Sequence, residues 1–500
     1  MSAVIKPNRV GPFPFAKSDA DARKKGFTEV ALPYTKEQAI LEADRCLRCE
    51  TAVCIDACPV QSDVRGMCEA VARGDFGTAF RRIQETNPLA GTTARCDPQM
   101  YSLCEEACAL QWGGQPVAIG QIQRFVSDWE MNESKQPYPS VAESTGKQVA
   151  VIGAGPAGLG AAALLRRYGH RVTIYDELPT PGGTAWYGIP DYHLPKNVLL
   201  YEIERIKGTG VEIRSGVRVG RDVTLTELLS EGADAVIIAT GSKDVVRMDT
   251  PGSDLKGVYD GYQFLEDVYV NGVGAYLKKP TYSLGSEILV IGGGDSALDA
   301  ARTALRLTGG HVTIVYRRTE KEMPADPTMV EEAREEGVEF KFLTNPKRYD
   351  GSGGRLVRAT MTPMKLGAPD ASGRRSPEPI TDREFDMPCT AVLVAVGRGP
   401  NSFLQKKYGL KTGKKEAIAV DDHYQTSMAG VFAAGDVTTG ESLVVKAMAQ
   451  GREAAQFVHE FLMDLGSKHV SLYDRYYTRR ASPRHYGDML DGKEEGPPPA

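Results

Sequence analysis

No apolar run in the 500 residues reaches the roughly 18 needed to cross a bilayer, so no transmembrane helix is expected. The first residues, MSAVIKPNRV, have no apolar core of a secretory leader, which places the chain in the cytoplasm by expectation. An excess of basic residues is missing too. Lys and Arg number 60 against 65 Asp and Glu, a formal net charge of −5, which argues against a nucleic-acid binder. Cysteine is almost absent outside one stretch: of 9, all but Cys389 lie between Cys46 and Cys108. A cytoplasmic chain is not expected to use them as structural disulfides, and such clustering points to metal or cluster ligation. The remaining composition, 41% hydrophobic and 25% charged, is that of an ordinary globular protein.

Residues 1–145 lack the strand–helix–strand rhythm of a nucleotide-binding fold. Amphipathic helical patterns dominate there, such as KEQAILEADRC and MCEAVARGDFGTAFRRIQ, so this part is expected to be α-helical. The polar, proline-containing MNESKQPYPSVAESTGK (131–147) reads as a linker. From Gln148 the character changes. The apolar strand QVAVIGAG runs into a Gly-rich turn, a helix AGLGAAALLRRYG and a second strand RVTIYDE. The same succession returns as ILVIGGG, SALDAARTALRLTG and HVTIVYRR. The fold class is therefore α/β, with two Rossmann-like dinucleotide-binding domains behind an α-helical iron–sulfur domain.

The cysteines form two groups, Cys46-x2-Cys49-x4-Cys54-x3-Cys58-Pro59 and Cys96-x7-Cys104-x3-Cys108. Short spacings at chain turns bring two or three thiolates to one iron–sulfur cube, and a distant residue closes the site. Zinc sites usually repeat the Cys-x2-Cys pair, and only one such pair occurs here, so clusters are favoured over zinc. Seven thiolates are one short of two all-cysteine [4Fe–4S] clusters, which leaves room for one other ligand. Cys68 lies in a helical pattern and reads as a buried free thiol; Cys389 reads as a core or surface thiol.

Gly153-x-Gly155-x-x-Gly158 follows a strand and opens a helix. The first glycine permits the tight turn, the second admits a pyrophosphate, and the third lets helix and strand pack. The helix N-terminus then faces the phosphates. Asp176 ends the next strand, where a carboxylate accepts hydrogen bonds from a ribose. The second fingerprint, Gly292-x-Gly294-x-x-Ala297, includes Asp295 and Ser296 and leads to a strand that ends in Arg317 and Arg318 instead of an acid. A guanidinium can clamp a ribose 2′-phosphate that an acid would repel. That favours NADP(H) over NAD(H); the plainer alternative is a solvated arginine pair.

The stretches RCLRCETAVCIDACPV (45–60), NPLAG (87–91), SLCEEAC (102–108), AIGQIQRF (118–125), GIPDYHLPK (188–196), GGGDSALDAARTALR (292–306) and VYRRTEKEMPA (315–325) together resemble the glutamate synthase small-subunit family. In its broad sense that family includes the large subunit of ferredoxin:NADP oxidoreductase and the N-terminal half of dihydropyrimidine dehydrogenase. The resemblance implies a two-dinucleotide-binding flavoprotein. FAD is expected on Gly153, Gly155, Gly158, Asp176, Gly183, Gly435 and Asp436, and NADP(H) on Gly292, Gly294, Asp295, Ser296, Arg317 and Arg318. It implies one [4Fe–4S] cluster on Cys46, Cys49, Cys54 and Cys108, and another on Cys58, Cys96, Cys104 and Gln123. Two departures stand out: the longer Cys96–Cys104 spacing, and His193 where arginine is common.

The implied domains are 1–145 (clusters), 146–282 with 396–465 (FAD), 283–395 (NADP(H)) and a tail, 466–500, for docking or disorder. Disulfide reductases of this superfamily carry a Cys-x-x-Cys beside the flavin, and neither Rossmann unit has one. The clusters are then the expected exit for electrons. The expected role is an electron-transfer subunit of a hetero-oligomer, working with NAD(P)H and a catalytic or ferredoxin-reactive partner, with neither nucleic acid nor membrane involved. The alternatives are a small subunit of NADPH-dependent glutamate synthase and a self-contained flavin reductase.

Overall fold

A computed structural model describes residues 16–97, 102–113, 115–370 and 373–465. The expected tail, 466–500, lies outside them. The N-terminal part is helical, as its periodicity predicts, with helices Lys36–Asp44, Val53–Ala57, Val64–Ala72, Phe76–Gln84, Ala90–Cys96, Leu103–Glu106 and Ile119–Trp129. Local chemistry sets their starts. Thr35 and Gln38 form a reciprocal capping box, and the Asp63 and Asp75 carboxylates accept the N–H groups of Gly66 and Thr78. The amphipathic faces meet in one core built on Met67, Val71, Phe80, Ile83, Ile122 and Val126. Cys46, Cys54, Cys104 and Cys108 pack against it.

The first Rossmann unit is a parallel sheet in the order Val431–Ala433, Ala235–Ile238, Gln148–Ile152, Arg171–Asp176, Glu212–Ser215. The second repeats that plan with Val258–Asp260, Ala391–Val394, Glu287–Ile291, His311–Val315 and Glu339–Lys341. In each, the strand feeding the Gly-rich turn is central, so the turn opens at the carboxyl edge where strand order reverses. The edge strand Val258–Asp260 and the helix Gly261–Tyr269 that packs on the second unit's core precede residue 283. The second unit therefore begins upstream of that expected boundary. An antiparallel layer of Thr344–Ser352, Arg355–Pro369, Arg375–Pro379 and Phe385–Pro388 is inserted in it. No motif in the sequence marks this layer.

The segment read as a linker is pinned. Gln136 N–H donates to Glu130 Oε1 at 2.8 Å, while Arg205 Nη1 and Nη2 donate to the carbonyls of Gln136 (2.8 Å) and Pro137 (3.1 Å). Arg205 belongs to helix Lys196–Gly208 of the first unit, so the helical domain is fastened to the flavin-type unit. No helix among the described residues is long and apolar enough to cross a membrane.

Candidate functional site: a dinucleotide cleft and two cysteine cavities

The first Gly-rich turn borders a cleft of about 1000 Å³. Gly153, Gly155, Asp176, Gly183 and Asp436 line it, gathered from four separate parts of the chain. Gly153 has φ +107°, and a Cβ there would run into the carbonyl oxygen of Ala239 at the end of the neighbouring strand. Gly158 stands behind the cleft, where a Cβ would strike Gly153's carbonyl. The matching position of the second unit holds Ala297, fully buried.

Asp176 does more than the sequence suggested. Its Oδ2 accepts the N–H of Ala154 at 2.6 Å and its Oδ1 that of Leu178 at 2.8 Å, tying the strand end to the Gly-rich turn. Its carboxylate still borders the cleft with lone pairs to spare. Asp436 is pushed up to about 6 by burial and accepts the Ser442 hydroxyl at 2.6 Å. Glu177, Lys243 and Arg218 also line the cleft and were missed. Glu177 pairs with Lys243 at 2.6 Å and Arg218 at 3.3 Å. No sequence motif marks that trio, since Arg218 reaches it from the loop after strand Glu212–Ser215 and Lys243 from the short strand Ser242–Val245.

In the second unit, Gly294 caps helix Asp295–Thr308, so Asp295 and Ser296 occupy its first turn. Asp295 accepts the N–H of Asp326 at 2.9 Å. The arginine pair divides. Arg317 is exposed and enters no ion pair among the described residues. Arg318 is 4% exposed, donates to the Arg375 carbonyl at 2.7 Å and pairs with Asp370 at 2.7 Å. Arg318 is thus spent on the inserted antiparallel layer and is withdrawn from the expected nucleotide set. The strand itself ends at Val315, and the two arginines follow in the bend after it.

The cysteines ring two further cavities. Cys46, Cys49, Cys54 and Cys108 line one of about 430 Å³, together with Cys68. Cys58, Cys104 and Gln123 line another of about 580 Å³, with Asp97 and Ser102. Cys96 is not in that lining. It closes helix Ala90–Cys96, whose Thr93 and Ala94 are, and it packs with Cys58 on the core of the first Rossmann unit. Burial pushes the Cys49 thiol up to about 11 and raises Cys54, Cys58, Cys96 and Cys104 as well. Ligation at these thiols therefore has to bring positive charge that displaces their protons, which iron does. Among the described residues no group of three or more His, Cys, Asp and Glu is gathered as a site for one metal ion. All nine cysteines are free of disulfides.

Gln123 borders the second cavity, and its amide is held in place. Its Nε2 donates to the Ala90 carbonyl at 2.8 Å and to Thr93 Oγ1 at 3.0 Å. Both amide protons are thereby held by the cysteine-bearing helix, and Oε1 keeps its lone pairs for the cavity. The same helix is anchored from the other domain. Glu202 of helix Lys196–Gly208 accepts the N–H of Gly91 at 2.5 Å, the N–H of Thr92 at 3.1 Å and the Thr92 hydroxyl at 2.6 Å. Burial pushes Glu202 up to about 7. Glu202→Leu leaves two buried N–H donors without partners, an expected loss of roughly 2–5 kcal/mol. Scanning calorimetry and iron analysis are expected to show a lowered melting temperature and reduced iron, and Glu202→Gln, which keeps one acceptor, a smaller change. Unchanged iron in Glu202→Leu would separate this anchor from the cysteine site.

The cleft and the cavities are contiguous. Ser442, Val444 and Ala447 line the dinucleotide cleft, while Leu443 and Val445 of the same segment line the Cys58/Cys104/Gln123 cavity. Ile119 borders both cysteine cavities. The arrangement is that of an oxidoreductase in which flavin- and pyridine-nucleotide-binding units follow a 4Fe–4S domain. Residues 147–451 match the family described as pyridine nucleotide-disulphide oxidoreductase, and residues 23–135 match dihydropyrimidine dehydrogenase domain II, 4Fe–4S cluster. The chain belongs to the former family and, within it, to the group that includes glutamate synthase small chains. It is 36% identical over 467 residues to the small chain of NADPH glutamate synthase from Escherichia coli (strain K12), across 92% of this chain and 98% of that one. It is 38% identical to the beta subunit of the NADP(+)-dependent formate dehydrogenase of Moorella thermoacetica, across 82% of this chain and 60% of that one. The fold is shared with Mycobacterium tuberculosis FprA in complex with NADPH, at a TM-score of 0.54 and 19% identity, over 71% of this chain and 89% of that one.

Proposed function

We propose that the chain is an electron-transfer subunit that exchanges hydride between NADPH and FAD and connects the flavin, through two [4Fe–4S] clusters, to a partner catalytic chain or ferredoxin. The observation that carries this reading is the segment Ser442–Ala447, one side of which walls the dinucleotide cleft and the other the Cys58/Cys104/Gln123 cavity. A bound flavin supplies the exchange between two-electron and one-electron chemistry, and bound clusters supply one-electron relay.

The chain's own residues bind and orient. Gly153, Gly155, Gly183 and Gly435 let backbone approach FAD, Gly158 packs behind them, and Asp176 and Asp436 accept from its hydroxyls. Gly292, Gly294, Asp295 and Ser296 form the corresponding seat for NADPH, with Arg317 toward the 2′-phosphate. Cys46, Cys49, Cys54 and Cys108 hold the outer cluster. Cys58, Cys96, Cys104 and Gln123 hold the one beside the flavin, with Cys96 reaching it from the end of its helix. Hydride transfer depends on position and needs no protein acid or base, so none is assigned. The similarity along nearly the full length of a glutamate synthase small chain favours an amidotransferase chain as the second candidate partner.

The nucleotide choice is tested at Arg317. A charge-assisted contact is worth roughly 1.5–3 kcal/mol, so Arg317→Ala is expected to weaken NADPH about 10- to 100-fold in flavin-reduction assays and leave NADH unchanged. Equal losses for both nucleotides, or a wild-type protein that prefers NADH, would reject the NADPH assignment.

A further inference from the structure

Two dinucleotide units in one chain need a fixed orientation as well as a fold. The chain passes between the Rossmann units twice, and the crossings pair as a short antiparallel ribbon, Ser242–Val245 with Arg398–Pro400. Such a connection is a natural hinge, since a few residues can absorb the rotation of one body against another. Hydride transfer needs the nicotinamide and the flavin in one geometry. Contacts beyond the ribbon have to fix the angle.

Tyr192 makes those contacts. By sequence it belongs to the first unit, in the turns between helices Thr184–Tyr187 and Lys196–Gly208. Its side chain is 1% exposed and lies against helix Asp295–Thr308 of the second unit. The hydroxyl donates to the Asp299 carbonyl at 3.2 Å, one turn after Asp295. The guanidinium groups of Arg306 and Arg302 lie 4.0 and 4.8 Å from the ring centre. That is within reach of cation–π attraction, which is strongest where water is excluded. Both arginines are held in turn by the buried Glu336, at 2.6 and 2.7 Å. The N-terminal segment reaches the same joint. Val30 N–H donates to the Tyr192 carbonyl at 2.9 Å, Arg306 Nε donates to the Gly26 carbonyl at 3.1 Å, and Arg23 pairs with Glu336 at 3.0 Å.

On its other side the joint leads to the flavin-type cleft. Gly183 and Thr184 line that cleft and open helix Thr184–Tyr187. Lys196 Nζ donates to the carbonyls of Ala185 at 3.3 Å and Leu194 at 3.4 Å, binding that helix to the loop that carries Tyr192. A continuous run of contacts therefore connects the cleft wall with the helix whose first turn holds Asp295 and Ser296.

We propose that Tyr192 is a positioning residue that locks the NADPH-binding unit against the flavin-binding unit in the orientation hydride transfer requires, acting through Asp299, Arg302 and Arg306. The inference rests on the assignment of FAD to the first cleft and NADPH to the second fingerprint. Core packing alone, the plainer role, would alter stability and flavin retention and leave the rate within the folded, loaded protein untouched.

The test compares full-length holoproteins of wild type, Tyr192→Leu, Tyr192→Phe and Arg306→Lys by anaerobic stopped-flow absorbance. In Tyr192→Leu the limiting rate of flavin reduction at saturating NADPH is expected to fall about 10- to 100-fold, as a small misplacement of reacting groups does. Affinity for NADP+, measured by calorimetry, is expected to stay at the wild-type value. The long-wavelength absorbance of a nicotinamide stacked on flavin is expected to weaken. Tyr192→Phe keeps the ring between the two guanidinium groups and is expected to return toward wild type in rate and absorbance. Arg306→Lys keeps a charge for Glu336 but not a flat cation over the ring, so its limiting rate is expected to fall as well. It decides the matter if Tyr192→Leu does not retain flavin. A wild-type limiting rate in flavin-replete Tyr192→Leu or, in its place, in Arg306→Lys overturns the proposal. So does a loss confined to NADP+ affinity, which would make Tyr192 part of the nucleotide seat. Failure of the underlying assignment has its own signature, a wild-type flavin that NADPH does not reduce.

Discussion

Gly153→Val is expected to yield a protein without bound flavin, colourless above 400 nm apart from its iron–sulfur absorption, and inert to NADPH. Two obstacles combine at this position. The backbone has φ +107°, which a β-branched residue adopts only at high cost. The new Cβ would also meet the Ala239 carbonyl, and that strand end cannot retreat because Ala239 N–H donates to the Ile152 carbonyl at 2.8 Å within the sheet. Relief requires the Gly-rich turn to leave the place where a pyrophosphate would lie. Gly292→Val is the companion variant. Its Cβ would meet the Ala395 carbonyl in the second unit, so the flavin is expected to remain while reduction by NADPH is lost and reduction by dithionite persists. Flavin quantitation and anaerobic absorbance spectra check both. Full flavin content in Gly153→Val would contradict the assignment of the cleft.

The second large effect is expected at Cys104. Cys104→Ser removes a thiolate from the cavity between the flavin cleft and the outer cysteines. Iron is expected to fall by about half, as one of two clusters is lost. NADPH should still bleach the flavin at the wild-type rate, yet the outer cluster should no longer be reduced by NADPH although dithionite reduces it. Cys49→Ser is expected to behave in the opposite sense: the outer cluster is lost and the inner one still takes electrons from NADPH. Rapid-freeze electron paramagnetic resonance distinguishes them. Equal reduction of the remaining cluster in both variants would reject the proposed order, because that order follows only from Leu443 and Val445 facing the Cys58/Cys104/Gln123 cavity.

Those two variants also mark what the sequence disclosed. A Gly-rich turn between a strand and a helix is a local signal, and so is a run of closely spaced cysteines; the fold class, both fingerprints and the clustering of the cysteines were legible for that reason, whereas the grouping of Cys108 with Cys46, Cys49 and Cys54 came from the family resemblance alone. Gln123 was suggested only by the family resemblance; what the structure adds is that its amide nitrogen is held by helix Ala90–Cys96. Contacts across the chain were hidden. Glu202 caps a helix more than 100 residues away, a relation that no spacing encodes. Arg318 looked equivalent to Arg317 because the layer that buries it begins after the motif, at Thr344, and its period-two pattern in RLVRATMTPMKL was not read as a sheet. Cys68 was correctly read as buried, but its presence in the wall of the first cavity depends on how helix Val64–Ala72 is turned. The early edge strand Val258–Asp260 is only three residues long, too short for periodicity to show.

The central claim is that nucleotide, flavin and clusters form one electron path within this chain. The most direct measurement is an anaerobic titration of the holoprotein with NADPH, and of the dithionite-reduced holoprotein with NADP+, monitored by visible absorbance and electron paramagnetic resonance together. The expected result is that flavin and both cluster signals respond to the nucleotide in at least one direction, with more electrons exchanged per chain than the two a flavin holds. A flavin that exchanges two electrons with the nucleotide while dithionite-reducible clusters stay unchanged in both directions would contradict the account and leave a self-contained flavin reductase.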